Sequence, residues 1–323
     1  MCGNPWMITS NECSTESFLL DRDGFAVYGL RSSAIEVQVV PALGGCVASL
    51  RSVRTGREWM WQGPENGRLF SNSPGDRFEF SPLVGAVECI PTIAPCKTDA
   101  GVLPDHGEAW SAPWRIDNTQ FERQKIETTV TLPVCGLELR RRITLAEATL
   151  HFEYRLSNLL ARPVRYIWTF HPLLEFDGED RIELPEDISS VAQRVQLGLP
   201  DFETQSVWGW PEPAPGVRLD FARLWRSDGG PTLAKLFADF SGHSAGWAAL
   251  VRGEERLAFR FDPARIPHLG IWLSNRGWNG CTHVAIEPCN APFDSLAESQ
   301  AEPLAPHSHK TWGFEIVLHD RAS

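Results

Sequence analysis

The sequence predicts an all-β fold, an antiparallel sandwich or barrel. Residues 125–132, 137–145 and 149–156 each alternate apolar and polar side chains with a period of two, as half-buried strands do. Pro133 and Gly136 supply turn residues between the first two of these stretches. Helical periodicity is weak nearly everywhere in the chain. Short strands at such close intervals are typical of antiparallel sandwiches and barrels.

The same pattern continues along the rest of the chain. No linker divides the sequence and no internal repeat is visible, so we expect one domain over residues 1–323.

Residues 62–84 form a long Gly- and Pro-rich connection, which we expect to be a wall of a binding site because it carries arginines and aromatic residues. Residues 183–221 are predicted to be a meandering excursion. The other predicted strands are 25–28, 34–40, 46–53, 58–61, 83–92, 114–117, 164–170, 232–237, 245–251, 256–261, 269–273, 282–287 and 310–318.

The charge balance excludes one large class of partner. The formal net charge is -11, and Lys and Arg form no long run that would make a basic patch. Nucleic acid is therefore not expected as a partner. A strongly anionic substrate is disfavoured for the same reason, although a few local arginines could hold one phosphate.

Cysteine spacing and the amino terminus bear on metal binding and location. The eight cysteines show no CxxC or CxH spacing, so a zinc site of the usual kind is not expected. Residues 1–17 carry Asn, Glu, Ser and Thr where a signal peptide has an apolar core, and no 18-residue apolar run occurs. We expect a cytoplasmic protein with reduced thiols and no membrane partner.

One loop stands out as a candidate binding surface. Asp105-His106-Gly107-Glu108 lies between Pro104 and Trp110, so an imidazole is placed on a Pro- and Gly-punctuated loop beside carboxylates and an aromatic residue. Such a group is more typical of a site than of a core. His106 is therefore a candidate functional residue.

Two later residues share this character, each following an apolar run and preceding a proline. His171 ends the predicted strand 164–170 and can act as a general acid or base near neutral pH. Glu287 ends the predicted strand 282–287, where a carboxylate is costly unless it is paired or used. A satisfied structural histidine, and a salt bridge from Glu287 to Arg260 or Arg276, are the alternative interpretations.

Familiar catalytic signatures are absent from the sequence. It contains no HExxH, P-loop, GxGxxG or GxSxG motif, so the usual zincin, nucleotide-binding and esterase mechanisms are not expected. The remaining histidines, His283 on the Glu287 strand among them, are weaker candidates.

These stretches resemble the aldose 1-epimerase (galactose mutarotase-like) family. The motifs Asp105-His106-Gly107, His171-Pro172 and Glu287-Pro288 occur in the order found in that family. Near the amino terminus, 41–45 followed by 56–58 resembles the family pattern, and near the carboxyl terminus 290–296 followed by 304–308 does so as well. The resemblance spans nearly the whole chain.

The resemblance implies a fold and a chemistry. The fold would be a large antiparallel β-sandwich of the galactose mutarotase type (a supersandwich) with few short helices and an open cleft on one sheet. Glu287 resembles the catalytic base and His171 the catalytic acid, while His106 resembles a histidine near the sugar ring oxygen. No metal or organic cofactor is implied. The partner implied is a small-molecule sugar substrate, whose α and β anomers would be interconverted.

The substrate leaves alternatives open. A hexose-6-phosphate epimerase would need clustered arginines, for which Arg68, Arg77 and Arg276 are available, and a non-catalytic carbohydrate-binding or sensor domain would need only the aromatic cleft. Two roles are open for the excursion 183–221, which either covers the cleft or pairs with a second subunit. A homodimer is therefore a further alternative. The expected sugar contacts are stacking faces and short polar groups, namely Arg77, Glu88, Asp105, Trp110, Trp272, Asn275 and Trp278.

Overall fold

The computed structural model describes residues 15–81, 83–99, 101–198, 207–213, 219–223 and 230–320. Most of residues 1–17, on which the expected absence of a signal peptide rests, lie outside these ranges, as do Cys2 and Cys13. In chain order the strands of the described ranges are β1 (Glu16–Arg22), β2 (Phe25–Arg31), β3 (Ile35–Val40), β4 (Cys46–Ser52), β5 (Ala86–Cys89), β6 (Cys96–Thr98), β7 (Gly101–Leu103), β8 (Arg115–Ile116), β9 (Ile126–Leu132), β10 (Leu137–Ala146), β11 (Thr149–Asn158), β12 (Thr169–Leu174), β13 (Arg181–Glu183), β14 (Ser190–Leu197), β15 (Val207–Gly209), β16 (Thr232–Asp239), β17 (Gly246–Arg252), β18 (Glu255–Phe261), β19 (His268–Trp278), β20 (Cys281–Cys289) and β21 (His309–Asp320).

Helix is confined to two short pieces of the described chain. The α-helix α1 (Asn118–Phe121) begins at Asp117, whose side chain accepts a hydrogen bond from the backbone N–H of Gln120. A single 3-10 turn covers Phe78–Phe80. No helix in the described ranges is long and apolar enough to cross a membrane. The all-β prediction is confirmed.

Two antiparallel sheets make up the fold. The front sheet has eleven strands in the order β1-β2-β3-β4-β5-β12-β20-β19-β16-β14-β15. The back sheet has eight strands in the order β13-β17-β18-β21-β11-β10-β9-β8. Strands β6 and β7 form a separate hairpin. Strands distant in the chain are therefore neighbours in the centre of the front sheet, where β5, β12, β20, β19 and β16 lie side by side.

The main core lies between the two sheets and follows from the alternation in the sequence. In β10, Leu137, Leu139 and Ile143 are fully buried, while the residues between them are more exposed or polar. They pack with apolar residues of the front sheet such as Ile271 and Ile286. Burying one face of each strand is what sets the pairing register, because a one-residue slip would turn every side chain to the other face.

A second apolar cluster covers the other face of the front sheet. Trp61, Phe78 and Leu83 from the connection after β4 pack here, as does Trp110 from the loop after β7. They meet the outward-facing residues of the central strands, Val87 and Leu173 among them. Long loops therefore form walls above the centre of the front sheet, and residues 62–84 supply one of them as expected.

Two local predictions need correction. The strand predicted over 164–170 begins only at Thr169 and runs through His171 and Pro172 as β12, because Pro172 pairs with Ala86 without breaking the strand. The excursion 183–221 is not wholly irregular. Within it β14 pairs with β16, and β15 pairs with β14, so this segment extends the front sheet at its edge.

Candidate active site

A cavity of about 230 Å³ opens on the outer face of the front sheet, above the central strands. Its volume is below the roughly 300–1,000 Å³ typical of pockets for drug-sized ligands and suits a molecule of monosaccharide size. It is lined by Phe78, Ile93, Ala94, Pro95, Asp105, His106, His171, Leu173, Lys235, Trp272, Trp278, His283 and Asp294.

A larger concavity elsewhere is less suited to catalysis. An open groove of about 1180 Å³ crosses the outer face of the back sheet. Several of its charged side chains are already paired at the surface, as in Arg142 with Glu127 and His151 with Glu315. The cavity on the front sheet is smaller, but it gathers buried ionisable groups around one space, which is the arrangement expected of an active site.

His171 and Glu287 lie opposite each other on adjacent strands. In the β12–β20 pair, Thr169 lies opposite Cys289 and Leu173 lies opposite Ala285, so the same register places His171 against Glu287. Their Nε2 and Oε1 atoms are 3.6 Å apart. Both side chains are held by regular strand backbone, and both are buried, His171 being 6% exposed and Glu287 0%. The two residues expected to exchange protons are therefore neighbours.

The surroundings fix the charge states of this pair. Burial lowers the pKa of His171 to about 4, and Lys235 adds to this effect while Glu287 opposes it. Burial alone would raise the pKa of Glu287, but the charge of Lys235 and its hydrogen bond oppose this effect, and the pKa is lowered. Glu287 is thus held as a carboxylate and His171 as a neutral imidazole near neutral pH.

Lys235 is the partner of Glu287, in place of the arginines considered from the sequence. Its ammonium on β16 donates a hydrogen bond to Oε2 of Glu287, and both side chains are almost wholly buried. Oε1 accepts no hydrogen bond within the described part of the chain. The alternative partners lie elsewhere, since Arg260 contacts His319 and Arg276 is exposed on β19.

The His106 loop approaches the same cavity from the side. The backbone at His106 has φ 56°, and its N–H donates to the carbonyl of Ile93 at 2.6 Å. Gly107 follows with φ 75°, and a Cβ there would lie 2.1 Å from the carbonyl oxygen of Ile90. The loop therefore requires glycine at this position. The centroid of the His106 ring lies 5.5 Å from the centroid of the His171 ring.

Asp105 and Phe78 hold the His106 ring. Oδ1 of Asp105 lies 2.8 Å from Nδ1 of His106, and Oδ2 accepts from the backbone N–H of Phe78 at 2.9 Å. Burial opposes ionisation of Asp105, but its hydrogen bond with His106 prevails and the pKa of the carboxyl is lowered. The Phe78 ring stacks on His106 at 3.6 Å. Asp105 thus holds the Nδ1 edge of the His106 imidazole and Phe78 covers one of its faces, so Nε2 is the ring nitrogen that a ligand could contact.

An aromatic wall closes another side of the cavity. Trp272 and Trp278 both line it, as expected from the sequence. His283 lies behind them and accepts a hydrogen bond at Nε2 from Nε1 of Trp272 at 3.1 Å. Burial lowers the pKa of His283 to about 3, so it is neutral. Flat aromatic faces of this kind suit the C–H faces of a sugar ring.

Asp294 adds a carboxyl that the sequence argument did not select. It lines the cavity, and within the described ranges its Oδ1 has no hydrogen-bond partner. Burial raises the pKa of Asp294, with Lys235 opposing. A buried and unsatisfied carboxyl oxygen in the wall is available to a ligand hydroxyl.

Glu88 and Trp110 require correction as sugar contacts. Glu88 is fully buried between the sheets, where Arg141, Tyr154 and Trp168 donate to its carboxylate, so it points away from the cavity. Trp110 is also fully buried, and its Nε1 donates to the backbone carbonyl of Asp105. Trp110 therefore braces the His106 loop from below and does not line the cavity.

Arg77 and Asn275 also lie outside the lining of the cavity. The Arg77 side chain is 65% exposed and pairs with Glu79 at 2.9 Å. Asn275 lies between Trp272 and Trp278 on β19 but is not among the residues that line the cavity. No arginine lines the cavity in the described chain, so the phosphate-binding cluster that a hexose-6-phosphate epimerase would need is not formed by these residues.

Three functional candidates were missed or ranked low from the sequence: Lys235, His283 and Asp294. Lys235 interrupts an apolar strand, the same signal that drew attention to Glu287. His283 lies four residues before Glu287 on β20, so the period of two places both on the same face. The described residues include no group of three or more His, Cys, Asp or Glu placed to hold a metal ion.

Comparisons with known proteins agree with this architecture. No family model matches the sequence, and no curated protein matches it. Solved structures do match. A galactose mutarotase related enzyme from Lactobacillus acidophilus has a TM-score of 0.63 at 15% identity, over 95% of this chain and 98% of its own. A galactose mutarotase-like protein from Lactobacillus casei gives 0.63 at 16%, over 94% and 100%.

A third solved structure shows the same likeness. A galactose mutarotase-like protein from Clostridium acetobutylicum has a TM-score of 0.65 at 13% identity, over 95% of this chain and 99% of its own. At such identities the likeness concerns the fold, and it runs along almost the whole length of both chains. This chain therefore has the galactose mutarotase-like fold that its motifs predicted.

Proposed function

We propose that this protein is an aldose 1-epimerase-like enzyme that interconverts the α and β anomers of a neutral hexose or a close relative. The observation that carries the proposal is that His106 and His171 line one cavity of sugar size, while Glu287 lies buried directly beneath it, 3.6 Å from His171. Its fold is also shared with proteins described as related to galactose mutarotase.

The proposed reaction begins with ring opening. Oε1 of Glu287 removes the proton from the anomeric hydroxyl, the carbonyl at C1 forms, and the bond from C1 to the ring oxygen breaks. His171, protonated at Nε2, gives its proton to the ring oxygen. The open-chain aldehyde then rotates about C1–C2. Each acid or base placed in this way typically contributes about 10²- to 10⁴-fold.

Closure of the ring reverses the proton transfers. The hydroxyl that was the ring oxygen attacks the other face of C1 and returns its proton to His171, while Glu287 gives its proton to the new anomeric oxygen. Both groups end the cycle as they began it. The 3.6 Å between Nε2 and Oε1 allows two neighbouring oxygens of one sugar to reach both groups.

The other walls have supporting roles in this proposal. His106, held by Asp105, donates a hydrogen bond near the ring oxygen. Trp272 and Trp278 contact the apolar face of the sugar, while Asp294 accepts from a hydroxyl. Because the cavity's cation, Lys235, is already paired with Glu287, a neutral sugar is favoured over a phosphorylated one.

The decisive experiment follows the approach to anomeric equilibrium of α-glucose, α-galactose and glucose 6-phosphate by polarimetry and exchange NMR. Wild type is expected to accelerate at least one neutral sugar, and Glu287→Gln to lose about 10²- to 10⁴-fold in kcat. Glu315→Gln, on the outer face of the back sheet, is the matched control. Acceleration unchanged by Glu287→Gln would refute the mechanism. Binding without acceleration would favour a sugar sensor, and preference for glucose 6-phosphate would favour a phosphate-specific epimerase.

A further inference from the structure

The ion pair between Lys235 and Glu287 joins two strands of the front sheet that are not direct neighbours. Lys235 is on β16 and Glu287 on β20, with β19 between them. Gly270 of β19 lies opposite Glu287, and a Cβ at this position would be 3.0 Å from Oε2 of Glu287 and 3.3 Å from Nζ of Lys235. The absent side chain of Gly270 leaves the space in which the two charges meet.

This geometry makes the two oxygens of Glu287 unequal. Oε2 receives the Lys235 ammonium, whereas Oε1 lies 3.6 Å from Nε2 of His171 and accepts no hydrogen bond in the described chain. Lys235 itself lines the cavity. An isolated carboxylate could rotate about its last bond, but one oxygen anchored by a buried ammonium keeps the other directed towards His171.

We propose that Lys235 is the positioning residue of the reaction, which holds Glu287 by Oε2 so that Oε1 is presented to the anomeric hydroxyl. This inference rests on the proposed function, because it assigns a task within the same site. Lys235 acts through Glu287 and needs no contact of its own with the reacting atoms. Its charge also acts on His171, so one side chain influences the protonation of both proton-transferring groups.

The effect of removing the lysine can be worked out from the groups that act electrostatically on Glu287. These are Lys235, His171, His106, Asp294, Cys89 and Cys289. Lys235 is the strongest of them in lowering the pKa of Glu287, and it also lowers the pKa of His171. Without the ammonium, both pKa values rise. The acidic limb of kcat/KM, set by Glu287, and the alkaline limb, set by His171, therefore both move to higher pH.

The test compares Lys235→Met with Lys235→Arg. In Lys235→Met both limbs of the kcat/KM profile are expected to move upward, and kcat/KM on the acidic limb to fall by about tenfold for each unit of displacement. Lys235→Arg, which keeps a cation beside Oε2, is expected to restore most of the profile. A merely structural lysine would lower the amount of folded enzyme without moving either limb, and unmoved limbs overturn the proposal.

A second readout does not depend on turnover. NMR titration of His171 in wild type and Lys235→Met is expected to show its pKa rising from about 4 when the lysine is lost. If wild type fails to accelerate any sugar but this shift is seen, the proposed function fails while the coupling of Lys235 to the site stands. No shift overturns the coupling. Lys235→Met/Glu287→Gln, which removes both buried charges, serves as the folding control.

Discussion

Two buried carboxylates of the front sheet, Glu88 and Glu287, are each paired with a cation, yet their surroundings differ. Glu88 lies between the sheets, where Oε1 accepts from Arg141 at 3.1 Å and from Tyr154 at 2.7 Å. Its Oε2 accepts from Nε1 of Trp168 at 2.8 Å. Both oxygens are thus satisfied. Glu287 lies beneath the cavity, under His171 and Lys235, and among the described residues only its Oε2 is engaged, by Lys235.

The difference separates a structural carboxylate from the one that we propose to be reactive. Burying a charge is costly unless its hydrogen bonds are completed, and Glu88 meets this condition with protein groups alone. Glu287 keeps one oxygen free of hydrogen bonds within the described ranges, and that oxygen lies beside His171, which lines the cavity. A fully satisfied carboxylate stabilises the sandwich, whereas a half-satisfied one is available to a substrate proton.

The largest expected effect that tests this comparison is on stability. Glu88→Gln leaves the buried Arg141 guanidinium without its counter-charge, and breaking a buried pair in this way costs about 3–5 kcal/mol. The free energy of unfolding from urea titration should fall by this amount, while kcat per folded molecule stays that of wild type. A Glu88→Gln protein with wild-type stability but lost activity would show that the two carboxylates have been assigned the wrong roles.

The pH dependence of kcat/KM tests the reactive side of the comparison. The proposed reaction needs Glu287 ionised, which holds above its lowered pKa, and His171 protonated, which holds below its pKa of about 4. We therefore expect kcat/KM to be highest in the acidic range and to fall as the pH rises from about 4 towards neutrality. Initial rates by polarimetry between pH 3.5 and 8, corrected for the uncatalysed reaction, give the profile. An alkaline limb near 6.5, the ordinary pKa of histidine, would contradict the desolvated state of His171.

The fold was predictable because its signal is local. Alternation in 137–145 and 149–156 predicts β10 and β11 with the turn at Glu147, and the structure pairs them in that register. The β-strand period also indicates which residues of one strand share a face. It does not reveal which face is the outer one, since a shift of one residue inverts the choice. For this reason Glu88 was expected in the cavity and lies instead inside the sandwich.

The candidate site was only partly predictable because it is assembled from distant strands. His106, His171 and Glu287 were selected because Gly or Pro follows each of them and because of the family resemblance. In the structure His171 lies next to both of the others. Lys235 belongs to the site only because β16 lies two strands from β20 and Gly270 is small. Neither condition can be read from the sequence around Lys235.

The smallest expected effect concerns the aromatic wall. Nε1 of Trp272 donates to Nε2 of His283, which places the proton of this neutral imidazole on Nδ1. Trp272→Phe removes the donor and allows the proton to move to Nε2. Losing one neutral hydrogen bond of this kind is worth about 0.5–1.5 kcal/mol. We expect KM to rise by about twofold to tenfold with kcat nearly unchanged, because in the proposed mechanism the wall orients the sugar without moving its protons.

Two measurements distinguish this orienting role from a catalytic one. The ¹⁵N shifts of His283 should report the change of tautomer in Trp272→Phe, and mutarotation kinetics should show the change confined to KM. Trp247→Phe, in the groove on the back sheet, is the matched control and should alter neither quantity. A fall in kcat as large as the rise in KM would instead place Trp272 and His283 among the groups that act on the transition state. The proposed division between the proton-transferring groups, His171 and Glu287, and an aromatic wall that only orients the sugar would then be wrong.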